Sequence, residues 1–304
     1  MTKPKAKALV PVVADLSTLE TYFTTHVRGQ MPVVQRLARE IQRRELQAVP
    51  QPGARGGFIF AGPTGVGKTQ LALTLANGLF GAERLVRLDC SEFKTLAAYE
   101  GLFGNRDGDA GRLAQAFARV PAGVWLFDEI EKAHPDLVHL FLQGVGDGVL
   151  TNAAGESLSL KSIYVIVTTN LGAGAVAGRE HLPFSSIERH VIRAVESWLR
   201  PELRARFSRP YVFQPLSRQA QLEITEGYVR RIVEMNATKG RLLTVDPGVI
   251  SYLACRGYSR RLGARTLHQF VDEHVGDAIA GWVMRGGGGN ARLAVVADHV
   301  EVVV

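Results

Sequence analysis

The chain has 304 residues, 46% hydrophobic and 21% charged, a balance that belongs to a globular protein and argues against a disordered, collagenous or coiled-coil chain. The 36 Lys and Arg against 29 Asp and Glu leave a net charge of +7, too mild an excess to define a nucleic-acid binder by itself. The two cysteines, Cys90 and Cys255, stand far apart and outside any Cys/His cluster, which argues against a disulfide framework or zinc site and for a reducing, cytoplasmic setting.

In chain order, Lys3, Lys5 and Lys7 precede the apolar stretch Ala8 to Ala14, a faint likeness to a signal peptide that Pro11 and Asp15 break. Residues 1–21 are therefore expected to be a flexible N-terminal tail. No apolar run approaches the roughly 18 residues that a membrane-spanning helix needs. From Pro32, the apolar residues Val33, Val34, Leu37, Ala38 and Ile41 recur at helical spacing, with Arg36, Arg39, Glu40, Arg43 and Arg44 opposite. A breaker-rich loop from Pro50 leads to the apolar run Phe58–Ala61, and a helix is predicted over Lys68–Leu79.

Further short apolar runs at Leu85–Leu88, Val124–Phe127, Ile163–Thr168 and Tyr211–Phe213 are separated by helical patterns or long loops. Strands alternating with helices predict an α/β fold with a doubly wound parallel sheet. The pattern changes near residue 215. Ser217 is placed to cap a helix reaching about Ala237, Pro247 opens another, and a last helix runs from Gly263 towards Met284. Gly286–Gly289 reads as a turn before two closing strands, Leu293–Ala297 and Val300–Val304. Residues 22–215 are expected to form a large α/β domain and residues 216–304 a smaller helical C-terminal domain.

The chemistry concentrates at strand ends. Gly62, Pro63, Thr64, Gly65, Val66, Gly67, Lys68 and Thr69 fit G-x-x-x-x-G-K-[ST] between a strand and a helix, the context that a phosphate-binding loop requires. Its backbone N–H groups and helix N-terminus suit phosphate, Lys68 suits the β and γ oxygens, and Thr69 suits a magnesium ion. Asp128 and Glu129 leave the strand Val124–Phe127 together: Asp128 is the expected holder of the magnesium shell, Glu129 the expected activator of the attacking water. Asn170 closes the next apolar strand, where a neutral polar tip can help place that water. The cofactors expected are ATP and Mg2+.

Several of these motifs, with Asp128-Glu-Ile-Glu-Lys-Ala-His-Pro135, Asp147-Gly-Val-Leu-Thr, Thr169-Asn-Leu-Gly172, Arg200-Pro-Glu-Leu-Arg-Ala-Arg206 and Gly263-Ala-Arg265, stand in the order found in Clp-type AAA+ chaperones. The chain resembles their C-terminal ATPase module over residues 22–304. The resemblance implies an AAA+ P-loop NTPase domain followed by a small lid domain, with Val27 in the segment that packs around adenine and Asn170 as sensor one. It implies that Arg206 is an arginine finger acting on a neighbouring subunit's nucleotide, and Arg265 the sensor-two arginine. Residue type alone does not separate Arg206 from Arg200, Arg204 and Arg209, nor Arg265 from Arg260 and Arg261.

Family members grip polypeptide with an aromatic loop, but here the interval Leu102–Leu113 is shortened and carries no tyrosine or tryptophan, and its only aromatic residue, Phe103, stands ahead of the loop itself in a position expected to pack. Within these 304 residues no aliphatic tripeptide of the kind that docks a Clp peptidase is found, and neither a first ATPase ring nor an inserted coiled coil is expected. In this economy the chain resembles torsins. The expected activity is Mg2+-dependent ATP hydrolysis coupled to remodelling or switching a protein partner. The expected assembly is a homo-oligomeric ring or partial ring, hexameric by the resemblance, acting on a protein substrate or with an activator. A nucleic-acid-associated loader and a slow nucleotide-dependent scaffold stay open as alternatives.

Overall fold

A computed structural model of the chain describes residues 15–46, 53–105, 109–174 and 183–304. The chain divides into two compact units, one of residues 1–62 and 67–213, the other of residues 63–66 and 214–304.

The first unit opens with α1 (Leu19–His26) and α2 (Met31–Glu45), continues through β1 (Gly56–Ala61), α3 (Lys68–Leu79), β2 (Leu85–Asp89), α4 (Leu96–Phe103), α5 (Gly111–Arg119), β3 (Gly123–Asp128) and α6 (Pro135–Gly146), and then forms a small hairpin, β4 (Val149–Thr151) and β5 (Ser157–Ser159). It closes with β6 (Ile163–Thr169), α7 (Phe184–Trp198), α8 (Pro201–Arg204) and β7 (Tyr211–Val212). Five strands form one parallel sheet in the order β2-β3-β6-β1-β7. Every residue of β1, β3 and β6 is buried, as expected where helices cover both faces of a parallel sheet. The strands run in register, Asp89 beside Asp128, Phe127 beside Val167 and Ala61 beside Thr169, so their C-terminal ends share one edge.

The structure begins its ordered fold earlier than the expected tail boundary at residue 21. Asp15 accepts the Ser17 N–H at 2.8 Å to start a short 3-10 turn, and Leu19 and Phe23 of α1 are fully buried. A pattern with two core residues in eight is too sparse to announce a helix in sequence. Residues 1–14 of that expectation, and the loop's Pro50, lie outside the described residues.

The second unit holds α9 (Arg218–Ala237), β8 (Arg241–Val245), α10 (Pro247–Gly257), α11 (Ala264–Met284), β9 (Gly289–Val296) and β10 (His299–Val303). The Ser217 hydroxyl accepts the Ala220 N–H at 3.2 Å and caps α9. Leu253, Leu267, Val271, Val275 and Leu293 form its dry centre. The helices flank a three-stranded sheet, β10-β9-β8, in which β8 pairs parallel to β9. β8 buries only Leu243, so it carries almost no alternation and went unforeseen, whereas the closing strands were marked by their valines. Among the described residues no helix is long and apolar enough to cross a membrane.

Candidate nucleotide site

β1 ends at Ala61, and the chain turns into α3 through glycines with positive φ. Gly62 has φ 147°, and a Cβ there would stand 2.8 Å from the Phe213 carbonyl oxygen. Gly67 caps α3 in the left-handed conformation at φ 107°. Side chains are disfavoured at both points, so glycine is what lets the turn close and the unsatisfied N–H groups of α3 face the strand ends. Of the intervening residues, Val66 is buried and Gly65 also has positive φ. Lys68, the first residue of α3, is 8% exposed; its ammonium donates to the Gly62 carbonyl at 2.7 Å and to Asn170 Oδ1 at 2.9 Å. Both are neutral oxygens.

Asp128 ends β3 and is 7% exposed. The Thr69 hydroxyl lies 3.2 Å from its Oδ2, the Thr168 hydroxyl donates to its Oδ1, and Arg87 of the neighbouring strand donates to Oδ2 at 2.7 Å. Buried carboxylates need this much compensation. Glu129 then takes φ 57°, ψ 52°, a left-handed conformation uncommon outside glycine, and its N–H donates to the Thr168 hydroxyl at 3.0 Å. That turn carries the Glu129 carboxylate off the strand axis to an ion pair with Lys132. Hydrogen bonding to Glu129 is the main cause that raises the Lys132 ammonium above the usual lysine range.

The third carboxylate of the motif, Glu131, holds Asn170. Its Oε1 accepts the Asn170 backbone N–H at 3.1 Å and the side-chain Nδ2 at 3.3 Å, while Oε2 is buried with no hydrogen-bond partner among the described residues. With Lys68 on Oδ1 and Glu131 on Nδ2, the amide is gripped from both ends. Lys68, Thr69, Asp128 and Asn170 thus converge at the C-terminal edge of the sheet with Glu129 beside them. Arg87, Thr168, Glu131 and Lys132 were not foreseen as partners. The signals were present: one arginine inside the strand beside Asp128, and a Glu-Lys pair continuing the Asp-Glu signature.

The other expected residues lie apart. Val27 follows α1, is 4% exposed, and its Cγ1 stands 3.4 Å from where a Gly67 Cβ would be, so it borders the glycine loop. Arg265 is exposed in the first turn of α11 in the second unit. Arg206 follows α8; the next residues run beside the start of β1, with the Ser208 N–H donating to the Gly57 carbonyl at 3.0 Å. This is the N-terminal end of the sheet, a strand's length of about 17–20 Å from the lysine. The Arg206 guanidinium packs over Gly146 and lies 3.7 Å from Asp147, whereas Arg204 turns back to the Leu199 carbonyl at 3.2 Å. In the expected grip loop, Phe103 is 6% exposed and stacks on Tyr99 at 5.2 Å; residues 106–108 lie outside the described residues.

The donor set fits a magnesium ion, which takes one or two carboxylates, hydroxyl oxygens and phosphate rather than an all-protein cage. Asp128 and Thr69 are adjacent hard oxygens, and among the described residues no group of three or more His, Cys, Asp or Glu could hold a metal on its own.

Comparison with known proteins agrees with this geometry. The family model for the AAA domain (Cdc48 subfamily) matches residues 54–209, and that for the C-terminal, D2-small domain of ClpB protein matches residues 216–291. Chaperone protein ClpB2, chloroplastic, of Oryza sativa subsp. japonica is 33% identical over 280 residues, 88% of this chain and 29% of that protein. The ATP-dependent Clp protease ATP-binding subunit ClpE of Bacillus subtilis (strain 168) is 32% identical over 293 residues, 93% of this chain and 42% of that protein. Among solved structures, a closed-state cryo-EM reconstruction of Hsp104 with ATPγS and FITC casein superposes with a TM-score of 0.82 at 30% identity, over 94% of this chain and 51% of that one. The chain spans less than half the length of these two relatives. With the phosphate loop, the parallel sheet and the small C-terminal domain all matched, the chain belongs to the AAA domain family, in its Clp-type branch.

Proposed function

We propose that the chain binds ATP with Mg2+ at the Lys68 and Asp128 cluster, hydrolyses it, and couples turnover to remodelling or switching a protein partner within a ring or partial ring, hexameric by the family resemblance. The observation that carries this reading is the convergence of Lys68, Thr69, Asp128 and Asn170 at one sheet edge, with Glu129 turned off the strand beside them. The matched relatives support it by name: ClpB2 is a chaperone, ClpE an ATP-binding subunit, and the Hsp104 reconstruction carries ATPγS and casein.

In this reading the glycine loop and Lys68 bind the phosphates, and Val27 packs on adenine. Thr69 and Asp128 hold Mg2+, which when bound neutralises phosphate charge. Glu129 takes the proton of the attacking water, for which it must release Lys132, and Asn170 places that water. Arg206 serves the nucleotide of an adjacent copy, since its own lies at the far end of the sheet, and Arg265 serves from the C-terminal unit. A planar guanidinium suits both tasks because it shares charge with several phosphate oxygens at once.

The test separates binding from chemistry. Lys68→Ala is expected to weaken ATP binding at least about 100-fold, the loss of a charge-assisted contact to phosphate. Glu129→Gln is expected to bind ATP as the native chain does and to lose about 100-fold or more in turnover. Calorimetric titration alongside phosphate release measures both, and native ATP affinity in Lys68→Ala would remove the assignment.

A further inference from the structure

A second charged concavity lies along the β7 edge of the sheet, where residues 205–211 run from beside Gly57 to beside Phe60. α2 and residues 205–211 enclose a pocket of about 550 Å3. Arg36, Arg39, Arg43 and Arg44 line it from the helix, Arg206 and Arg209 from the segment, and Glu40 is the one carboxylate among these lining residues. Arginines spaced three, four and seven apart on one helix face repel each other, so the arrangement costs stability unless something answers the charge.

Part of the charge is answered within the chain. Glu40 takes Arg43 at 2.7 Å and Arg44 at 2.8 Å. Arg36 donates to the Pro210 carbonyl at 3.0 Å and to the Arg209 carbonyl, and its guanidinium lies 3.8 Å above the Tyr211 ring. These contacts hold the wall rigid without adding negative charge beyond Glu40. The side chains of Arg39 and Arg209, both exposed, make no ion pair or hydrogen bond among the described residues. Among the described residues the Arg206 guanidinium has only the long pairing to Asp147 as an ion pair.

The lining also discriminates between anions. Its two aromatic residues are buried, Tyr211 at 1% and Phe207 at 8% exposure, and Arg36 covers the tyrosine face, so a nucleobase has no ring to stack on. Beyond the arginines and the half-buried Glu40, the lining residues that are not buried are Ala205 and Ser208, which give an acidic peptide no large apolar anchor. What remains is a concave cluster of guanidinium forks, matched to closely spaced phosphate oxygens.

We propose that this pocket binds a condensed phosphate anion, a short run of phosphates joined by anhydride bonds, with Arg39 and Arg209 as its ligands at the mouth. The chemistry is shared by free polyphosphate and by the phosphate tail of a nucleotide. The site is separate from the Walker cluster, the Lys68, Thr69, Asp128 and Glu129 group at the C-terminal sheet edge, and stands without it, although Arg206 lines it.

The experiment uses the full chain carrying Lys68→Ala, so that the Walker site does not contribute, and titrates tripolyphosphate calorimetrically at low and at moderate salt. Binding that weakens with salt is expected, and Arg39→Gln with Arg209→Gln should weaken it about tenfold or more, as befits the loss of two charge-assisted hydrogen bonds. Arg189→Gln with Arg193→Gln, which removes the same charge from exposed positions of α7, should leave it unchanged. ATP titrated into the same chain distinguishes the sources: affinity equal to tripolyphosphate and lost with Arg39 and Arg209 assigns a nucleotide tail, and silence assigns the free chain. No tripolyphosphate binding, equal weakening in both double variants, or tighter binding of a glutamate-rich peptide or a single-stranded oligonucleotide would overturn the proposal.

Discussion

The C-terminal edge of the parallel sheet and its β7 flank differ in how their charges are answered. At the C-terminal edge, Asp128 is met by Arg87 and two hydroxyls, Glu129 by Lys132, and one oxygen of Glu131 by the backbone and side chain of Asn170. Along the β7 edge six arginines and one glutamate line a single pocket. The first is answered group by group within its own chain. The second carries more positive charge than its one glutamate answers, and Arg206 is part of it. In our reading Arg206 completes the Lys68 and Asp128 cluster of a second copy, so the catalytic unit is two copies, not one.

The largest expected effect breaks that pairing. Arg206→Ala should lower ATP turnover about 1,000-fold or more, the scale of a guanidinium lost from the transferring phosphate, while leaving ATP affinity near native. Arg204→Ala, whose guanidinium is spent on the Leu199 carbonyl, should lose little. Turnover assays with nucleotide titrations on both variants check this, and equal losses would erase the distinction between the two arginines.

A smaller effect sharpens the account of the Walker edge. Glu131→Ala should lower turnover about tenfold without weakening ATP binding, because it frees the Asn170 amide from the carboxylate that accepts its Nδ2. If Glu131 acts through Asn170, then Glu131→Ala combined with Asn170→Ala should be no worse than Asn170→Ala alone. Additive losses would make Glu131 a separate contributor, and native turnover in Asn170→Ala would remove the sensor role itself.

The smallest effect comes from Gly146, at the last position of α6. A Cβ there would fall 2.7 Å from the Arg206 guanidinium, the mobile end of a long side chain, so Gly146→Ala should shift the arginine and not the fold. Alanine favours a helix over glycine by up to about 1 kcal/mol, so the melting temperature should hold or rise while turnover falls a few-fold. Thermal unfolding and phosphate release on the same preparation read the two together; a fall in melting temperature would show that the backbone moved.

Much of the Walker edge was legible in sequence because its parts are local. Eight consecutive residues make the phosphate loop, and the positive φ values at Gly62, Gly65 and Gly67 are why three glycines stand in it. The buried strands were legible as apolar runs, and Ser217 and Pro247 announced the helices they begin. The partners were not, because Arg87 reaches Asp128 across 41 residues and Thr168 across 40, and strand order is set by packing that no window contains. The arginine pocket shows the same limit. Arg36 through Arg44 read as the polar face of one helix, and only the fold brings residues 205–211 against it to make a concave site.

The pairing of two copies is tested most directly by mixing two inactive chains. Lys68→Ala keeps Arg206 but lacks the phosphate lysine, and Arg206→Ala keeps the Walker cluster but lacks the finger. In mixtures shown by sizing to co-assemble, turnover should rise well above either variant alone and peak near equal proportions, because an interface between the two joins an intact cluster to an intact arginine. Turnover that never exceeds the sum of the separate variants, in chains shown to share assemblies, would contradict a finger supplied by the neighbour.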